Sequence, residues 1–164
     1  MKIIQLNKNI DKRGVFKRLF CTKEFISRKI NVKIKQINIS TNNTKHTLRG
    51  LHYQLGRWAE DKIIYCTKGK LFFVALNIDK KSKNYLKYKT EIIEEFDDKI
   101  IFINKNNATG FLTLQKNTEI IYFMTNFYNE KSANGILYND PKINIKWPFK
   151  PVIISKKDRS FKKL

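Results

Sequence analysis

Ten residues, Lys45 to Gln54, hold the densest set of side chains able to do chemistry: Lys-His-Thr-Leu-Arg-Gly-Leu-His-Tyr-Gln. His52 is one of only 2 histidines in the chain. An imidazole near its free pKa is largely neutral at pH 7 and can take a proton. Arg49 brings a guanidinium, whose fork of donors matches phosphate oxygens. In a strand, Leu48, His52 and Gln54 share one face and Arg49 the other. Gly50 changes that expectation. A glycine inside a strand often marks a bulge, and a bulge turns Arg49 and His52 toward one cavity. This stretch is the candidate active site. The plainer alternative for His52 is a core histidine fixed by a hydrogen bond.

Residues 49–54, Arg-Gly-Leu-His-Tyr-Gln, resemble a hallmark of the dTDP-4-dehydrorhamnose 3,5-epimerase family. Other pieces fall in the family's order. They include Asp11-Lys12-Arg13-Gly14-Val15-Phe16, Gln36-Ile37-Asn38-Ile39-Ser40, Lys62, and Ala108-Thr109-Gly110-Phe111. Ile121 to Thr125, Asn139-Asp140-Pro141, Ile145 to Pro148 and Ser155-Lys156-Lys157-Asp158 complete the set. The likeness runs over nearly the whole chain. It implies an all-β fold, a cupin-like jelly roll or double-stranded β-helix with short peripheral helices. It implies a cofactor-independent isomerase that inverts C3, C5 or both in a nucleotide-linked 4-keto-6-deoxy sugar. It also implies a homodimer that shares N-terminal strands.

Roles follow from the same resemblance. The reaction needs a base beside the ketone, a group to hold the enolate oxygen, and an acid on the other face. His52 fits the base, and Asp140 matches the family's carboxylate that orients it, as in a triad. The plainer reading of Asp140-Pro141 is a turn. Tyr122 lies 13 residues after Thr109, the family's spacing. Its phenol, with a free pKa near 10, carries a proton to donate. Lys62 fits the cation that meets developing negative charge. Arg49 and Arg13 fit the diphosphate or sugar, with Arg13 expected from the partner subunit. Gln36, Asn38 and Thr109 complete the expected substrate contacts. Arg18 stands where the family usually has Glu, Thr109 where it has His, and Ala133 near the site of a second Glu. Those departures imply an altered substrate or narrower scope. A nucleotide-sugar 3,4-ketoisomerase and a non-catalytic sugar-nucleotide binding protein of the same fold are the alternatives.

The bulk composition narrows the classes. With 164 residues and 41% hydrophobic content, residues 1–164 are expected to form one domain with a real core. No apolar run approaches membrane-spanning length, and the first residues lack a signal peptide's apolar region. The expectation is a cytoplasmic protein. Cys21 and Cys66 are too few for a disulfide framework. The two histidines are six apart with no carboxylate at ligand spacing, so no metal is expected. The formal charge of +20 raises nucleic-acid binding. Against it, the lysines are spread along the chain, no nucleic-acid-binding motif appears, and abundant Lys, Asn and Ile point to compositional bias.

Strands must position these groups. Val32–Ser40 alternates, with Gln36 and Asn38 projecting together. Strands are further expected at 3–6, 62–67, 71–78, 88–94, 99–103, 110–114, 118–126 and 143–147. Lys68-Gly69-Lys70 reads as a hairpin turn. Thr22 is expected to cap a short helix with Phe25 and Ile26 facing in. The Lys-rich tail from Ser155 reads as helical or frayed.

Overall fold

The computed structural model describes all of residues 1–164. In chain order the strands begin with β1 (Lys2–Gln5), β2 (Lys8–Asp11), β3 (Gly14–Lys17), β4 (Gln36–Asn42) and β5 (Thr47–Gln54). They continue with β6 (Lys62–Lys68), β7 (Lys70–Asn77), β8 (Tyr88–Glu94), β9 (Lys99–Ile103) and β10 (Asn107–Thr113). The last are β11 (Thr118–Met124), β12 (Ala133–Gly135) and β13 (Ile153–Ile154). Two short helices, α1 (Thr22–Ser27) and α2 (Lys156–Arg159), lie outside the sheets.

The strands build two facing sheets, a β jelly roll. One is five-stranded in the order β1-β9-β6-β11-β4. The other runs β12-β5-β10-β7-β8, with β13 pairing β5 in parallel. Period-2 alternation sorts the side chains. In the five-stranded sheet, Tyr122 pairs with Asn38 on one side and Ile64 on the other, and Met124 with Gln36 and Lys62. Those six residues therefore share the inner face. Ile37, Ile39, Ile63 and Phe123 take the outer one.

The space between the sheets is filled at one end and open at the other. The closed end packs Ile64, Cys66, Leu71, Phe73, Ile93, Ile101, Ile103, Phe111 and Ile120. Burying each such side chain contributes about 1.5–3 kcal/mol. A second cluster, including Phe25, Ile30, Val32, Ile63 and Phe102, seats α1 and the following segment on the outer face of the five-stranded sheet. A third, with Leu51, Val74, Leu76, Ile136, Ile143 and Ile145, covers the outer face of the other sheet.

Three local expectations change. Lys68-Gly69-Lys70 is not a hairpin, because β6 and β7 belong to different sheets. It is a corner between them, and Gly69 takes φ +77 there, where a Cβ would sit 2.6 Å from the Thr118 hydroxyl. Ile143 and Ile145 alternate in burial as a strand would, yet they belong to a turn-rich strap that caps the six-stranded sheet without joining its ladder. Helix α1 buries Phe25 but leaves Ile26 53% exposed, and Cys21 precedes it with no side-chain cap.

Candidate active site

Gly50 makes the bulge. Along β5 and β10, His52 pairs with Thr109 while Arg49 pairs with Phe111, a register shift of one residue. Gly50 sits at φ +104, and a Cβ there would lie 2.6 Å from the Thr109 carbonyl oxygen and 2.8 Å from Gly110 Cα. Only glycine fits. The shift flips strand parity, so Arg49 and His52 both line the cavity at the open end, about 1040 Å³ in volume.

His52 is held by Asp158. Asp158 Oδ1 lies 2.8 Å from His52 Nε2, and its Oδ2 accepts the Gly50 amide at 2.9 Å. An ionised carboxylate only accepts, so Nε2 carries the hydrogen and the Nδ1 lone pair is left to take a proton. Burial pushes the Asp158 carboxyl up, but the hydrogen bonds from His52 and Gly50 outweigh it and hold the group below the usual carboxylate range. Asp158 comes from α2, where the Ser155 hydroxyl accepts the Asp158 amide as an N-cap. Phe161 stands edge-on to the His52 ring at 5.8 Å.

Asp140 is elsewhere. It is buried, but its carboxylate accepts the amides of Lys142 at 2.8 Å and Leu164 at 2.6 Å. It closes a turn and ties down the C-terminus. The expected partner role for His52 therefore passes to Asp158. The signal was available: Asp158 is the only acid after Asp140, three residues beyond Ser155 in an N-cap pattern.

Lys62 enters from the opposite sheet, at the start of β6. Its ammonium donates to Thr109 Oγ1 at 2.9 Å and to the His52 carbonyl at 3.3 Å, and lies 3.2 Å from Glu60 Oε1. Burial pulls its pKa below the ordinary lysine value, and the Glu60 carboxylate pulls the other way. Glu60 lies outside the residues that the sequence singles out. It stands two residues before Lys62, a spacing that shares a face in extended chain.

Tyr122 projects from β11 into the same cavity. Burial raises its pKa, with the Ser40 hydroxyl and the Arg49 charge pulling it back, so the phenol keeps its proton at neutral pH. Arg49 Nε donates to the buried Asn42 Oδ1 at 2.7 Å, which fixes the guanidinium and leaves its terminal nitrogens for a ligand. Asn38 and Gln36 also line the cavity, and Gln36 accepts the Tyr128 amide at 2.5 Å. Arg13 does not line it. It tips the β2–β3 hairpin, with its side chain 90% exposed and paired with Asp11.

Fold and site together define a β jelly roll with an imidazole and a phenol on opposite walls of one cavity. The family model described as dTDP-4-dehydrorhamnose 3,5-epimerase matches residues 1–164. A dTDP-4-dehydrorhamnose 3,5-epimerase of Shigella flexneri is 37% identical over 151 residues, covering 90% of this chain and 82% of that one. One from Methanothermobacter thermautotrophicus is 32% identical over 165 residues, covering 99% and 88%. Among solved structures, the Bacillus anthracis dTDP-4-dehydrorhamnose 3,5-epimerase with TDP and PPi bound superposes with a TM-score of 0.96 at 27% identity, covering 99% of this chain and 93% of that one. The Legionella pneumophila epimerase in complex with dTDP-4-keto-L-rhamnose gives 0.92 at 31% identity, covering 98% and 86%. The chain belongs to the dTDP-4-dehydrorhamnose 3,5-epimerase family.

Proposed function

We propose that this protein epimerises a nucleotide-linked 4-keto-6-deoxy sugar, with His52 as base and Tyr122 as acid. The observation that carries the reading is their placement across one cavity, His52 on β5 and Tyr122 on β11 of the facing sheet. His52 Nδ1 removes the proton from a carbon beside the ketone, and Asp158 stabilises the imidazolium that results. The bonding pair moves into the ring and the carbonyl oxygen becomes an enolate oxygen. Lys62 supplies positive charge there. Its shortest contact polarises the Thr109 hydroxyl, whose own hydrogen can turn to the oxygen. Tyr122 gives a proton to the other face of the carbon as the enolate pair returns to the carbonyl; the phenol then recovers a proton from solvent and His52 releases its own to solvent. One C–H bond breaks, one forms, and the centre is inverted.

The relative from Legionella pneumophila holds dTDP-4-keto-L-rhamnose, and a dTDP-linked hexose is the substrate we assign to this chain. The free arm of the Arg49 guanidinium suits its diphosphate. Incubation with such a 4-keto sugar in deuterated water tests the reading by NMR. Deuterium at C3, C5 or both, with inverted configuration, is the expected result. Migration of the ketone from C4 to C3 would instead mark a ketoisomerase, and no exchange at all would leave only a binding protein.

We further propose that the working unit is a homodimer. The β2–β3 hairpin leaves Ile10, Val15 and Phe16 exposed, and the edge strand β4 leaves Ile37 and Ile39 exposed on its outer face. A second copy would cover these side chains and could bring its Arg13 hairpin to the cavity. Light scattering at twice the mass of one chain is the expected result. The free thiols of Cys21 and Cys66, the latter pushed up to about 12 by burial, suit a reducing compartment, and we place the protein in the cytoplasm. No helix is long and apolar enough to cross a membrane.

A further inference from the structure

We propose that Glu60 is a positioning residue: it is the fixed counter-charge that keeps Lys62 protonated inside the cavity and holds its ammonium against Thr109. This rests on the reading of Lys62 as the group that meets the enolate oxygen. The two side chains are among the most buried charged groups of the molecule, 4% and 9% exposed, with Glu60 Oε1 at 3.2 Å from Lys62 Nζ. A buried ammonium without a counter-charge sheds its proton readily. A neutral amine could not offset an enolate.

The second oxygen of Glu60 is committed as firmly. It accepts Gln54 Nε2 at 2.9 Å. The Gln54 amide cannot turn over, because its Oε1 accepts the Asn129 amide at 2.6 Å and its Nε2 also faces the Trp58 and Phe127 carbonyls. Glu60 thus meets a donor on each oxygen. A carboxylate, which only accepts, satisfies both at once, whereas an amide would set its NH2 against one of them.

No other anion faces Lys62. From β5 comes the His52 carbonyl, from β10 the neutral Thr109 hydroxyl, and from β11 the protonated Tyr122 phenol and Met124. From β9, Ile103 is its neighbour in the ladder. Asp158 on α2 is engaged by His52 and Gly50. Each working pole of the cavity therefore has its own carboxylate, Asp158 for His52 and Glu60 for Lys62.

The test is E60Q. Lys62 is titrated in the unliganded protein by NMR of 13C-labelled lysine side chains, with K62M identifying its signal. Losing an opposite charge at this range lowers a pKa by about 1–3 units, and that drop in Lys62 is the expected result. The alkaline limb of kcat should move to lower pH with it, with KM little changed at neutral pH. An unchanged Lys62 titration would overturn the assignment of Glu60, whatever the activity. If the titration moves but neither protein turns over a 4-keto nucleotide sugar, the Glu60 pairing stands and the epimerase reading fails. If E60Q does not fold, the double variant E60Q/K62M decides. It should regain the fold, because the unpaired ammonium is gone, and a double variant as unfolded as E60Q would overturn the proposal.

Discussion

Asp158 ties its carboxylate to two donors of β5, His52 Nε2 at 2.8 Å and the Gly50 amide at 2.9 Å. One side chain from the C-terminal helix thus fixes both the tautomer of the imidazole and the backbone of the bulge beside it. D158N keeps the shape but must aim an NH2 at one of these donors. Turnover should fall by about 10⁴, the loss seen when a triad aspartate is replaced by asparagine. D140N should behave differently. Two amides lose a charged acceptor, so stability should drop by about 1–3 kcal/mol without a matching loss of turnover. Steady-state kinetics and urea melts of both variants check the contrast.

The same carboxylate gives stability a pH dependence. The folded Asp158 pKa lies below the unfolded value of about 3.9. Its contribution is therefore fully present above that value and is lost as pH falls through the folded pKa. The part of the difference in unfolding free energy between wild type and D158N that the Asp158 charge supplies should shrink as pH falls below about 4. Urea titrations across that range measure it. A difference that grew as pH fell below about 4 would contradict the lowered Asp158 pKa.

Gly50→Ala tests the bulge. The substitution places a Cβ 2.6 Å from a backbone oxygen at φ +104, costing at least about 1–2 kcal/mol for the conformation alone. Strand β5 must then move from β10 and take Arg49 and His52 out of register. Thermal melting should fall and activity should fall further than stability explains.

Thr109→Val removes the hydroxyl between Lys62 and a bound oxygen while keeping the volume. An ammonium proton loses its 2.9 Å acceptor. Turnover should fall on the order of 10², the scale for one charge-stabilising donor, with substrate affinity little changed. Kinetics on the same 4-keto sugar separate the two effects.

Local pattern made much of this legible. Short strand-forming runs set off by turns located the strands from Tyr88 to Glu94 and from Lys99 to Ile103 to the residue, and alternation put Gln36 and Asn38 together on the cavity wall. Gly50 announced the bulge because a glycine amid strand residues has few other uses. What alternation could not carry was which sheet a strand joins. Gly69 therefore read as a hairpin turn when it is a corner. Nor could it carry pairing across the chain: Asp158 meets His52 from 106 residues away. Asp140, nearer in sequence and in the segment the resemblance pointed to, was the more visible carboxylate. Glu60 stayed hidden in a loop until the fold closed it over Lys62.

The central claim is that His52 and Tyr122 work on opposite faces of the sugar, and Y122F in deuterated water tests it most directly. The phenylalanine keeps the shape of the wall but has no proton to give, while His52, Asp158 and Lys62 are untouched. NMR of the recovered 4-keto nucleotide sugar should show deuterium entering beside the ketone with the original configuration retained, where wild type gives both exchange and inversion. H52A should give neither. Inverted product from Y122F at the wild-type rate would contradict the account and return Tyr122 to the status of a packing residue.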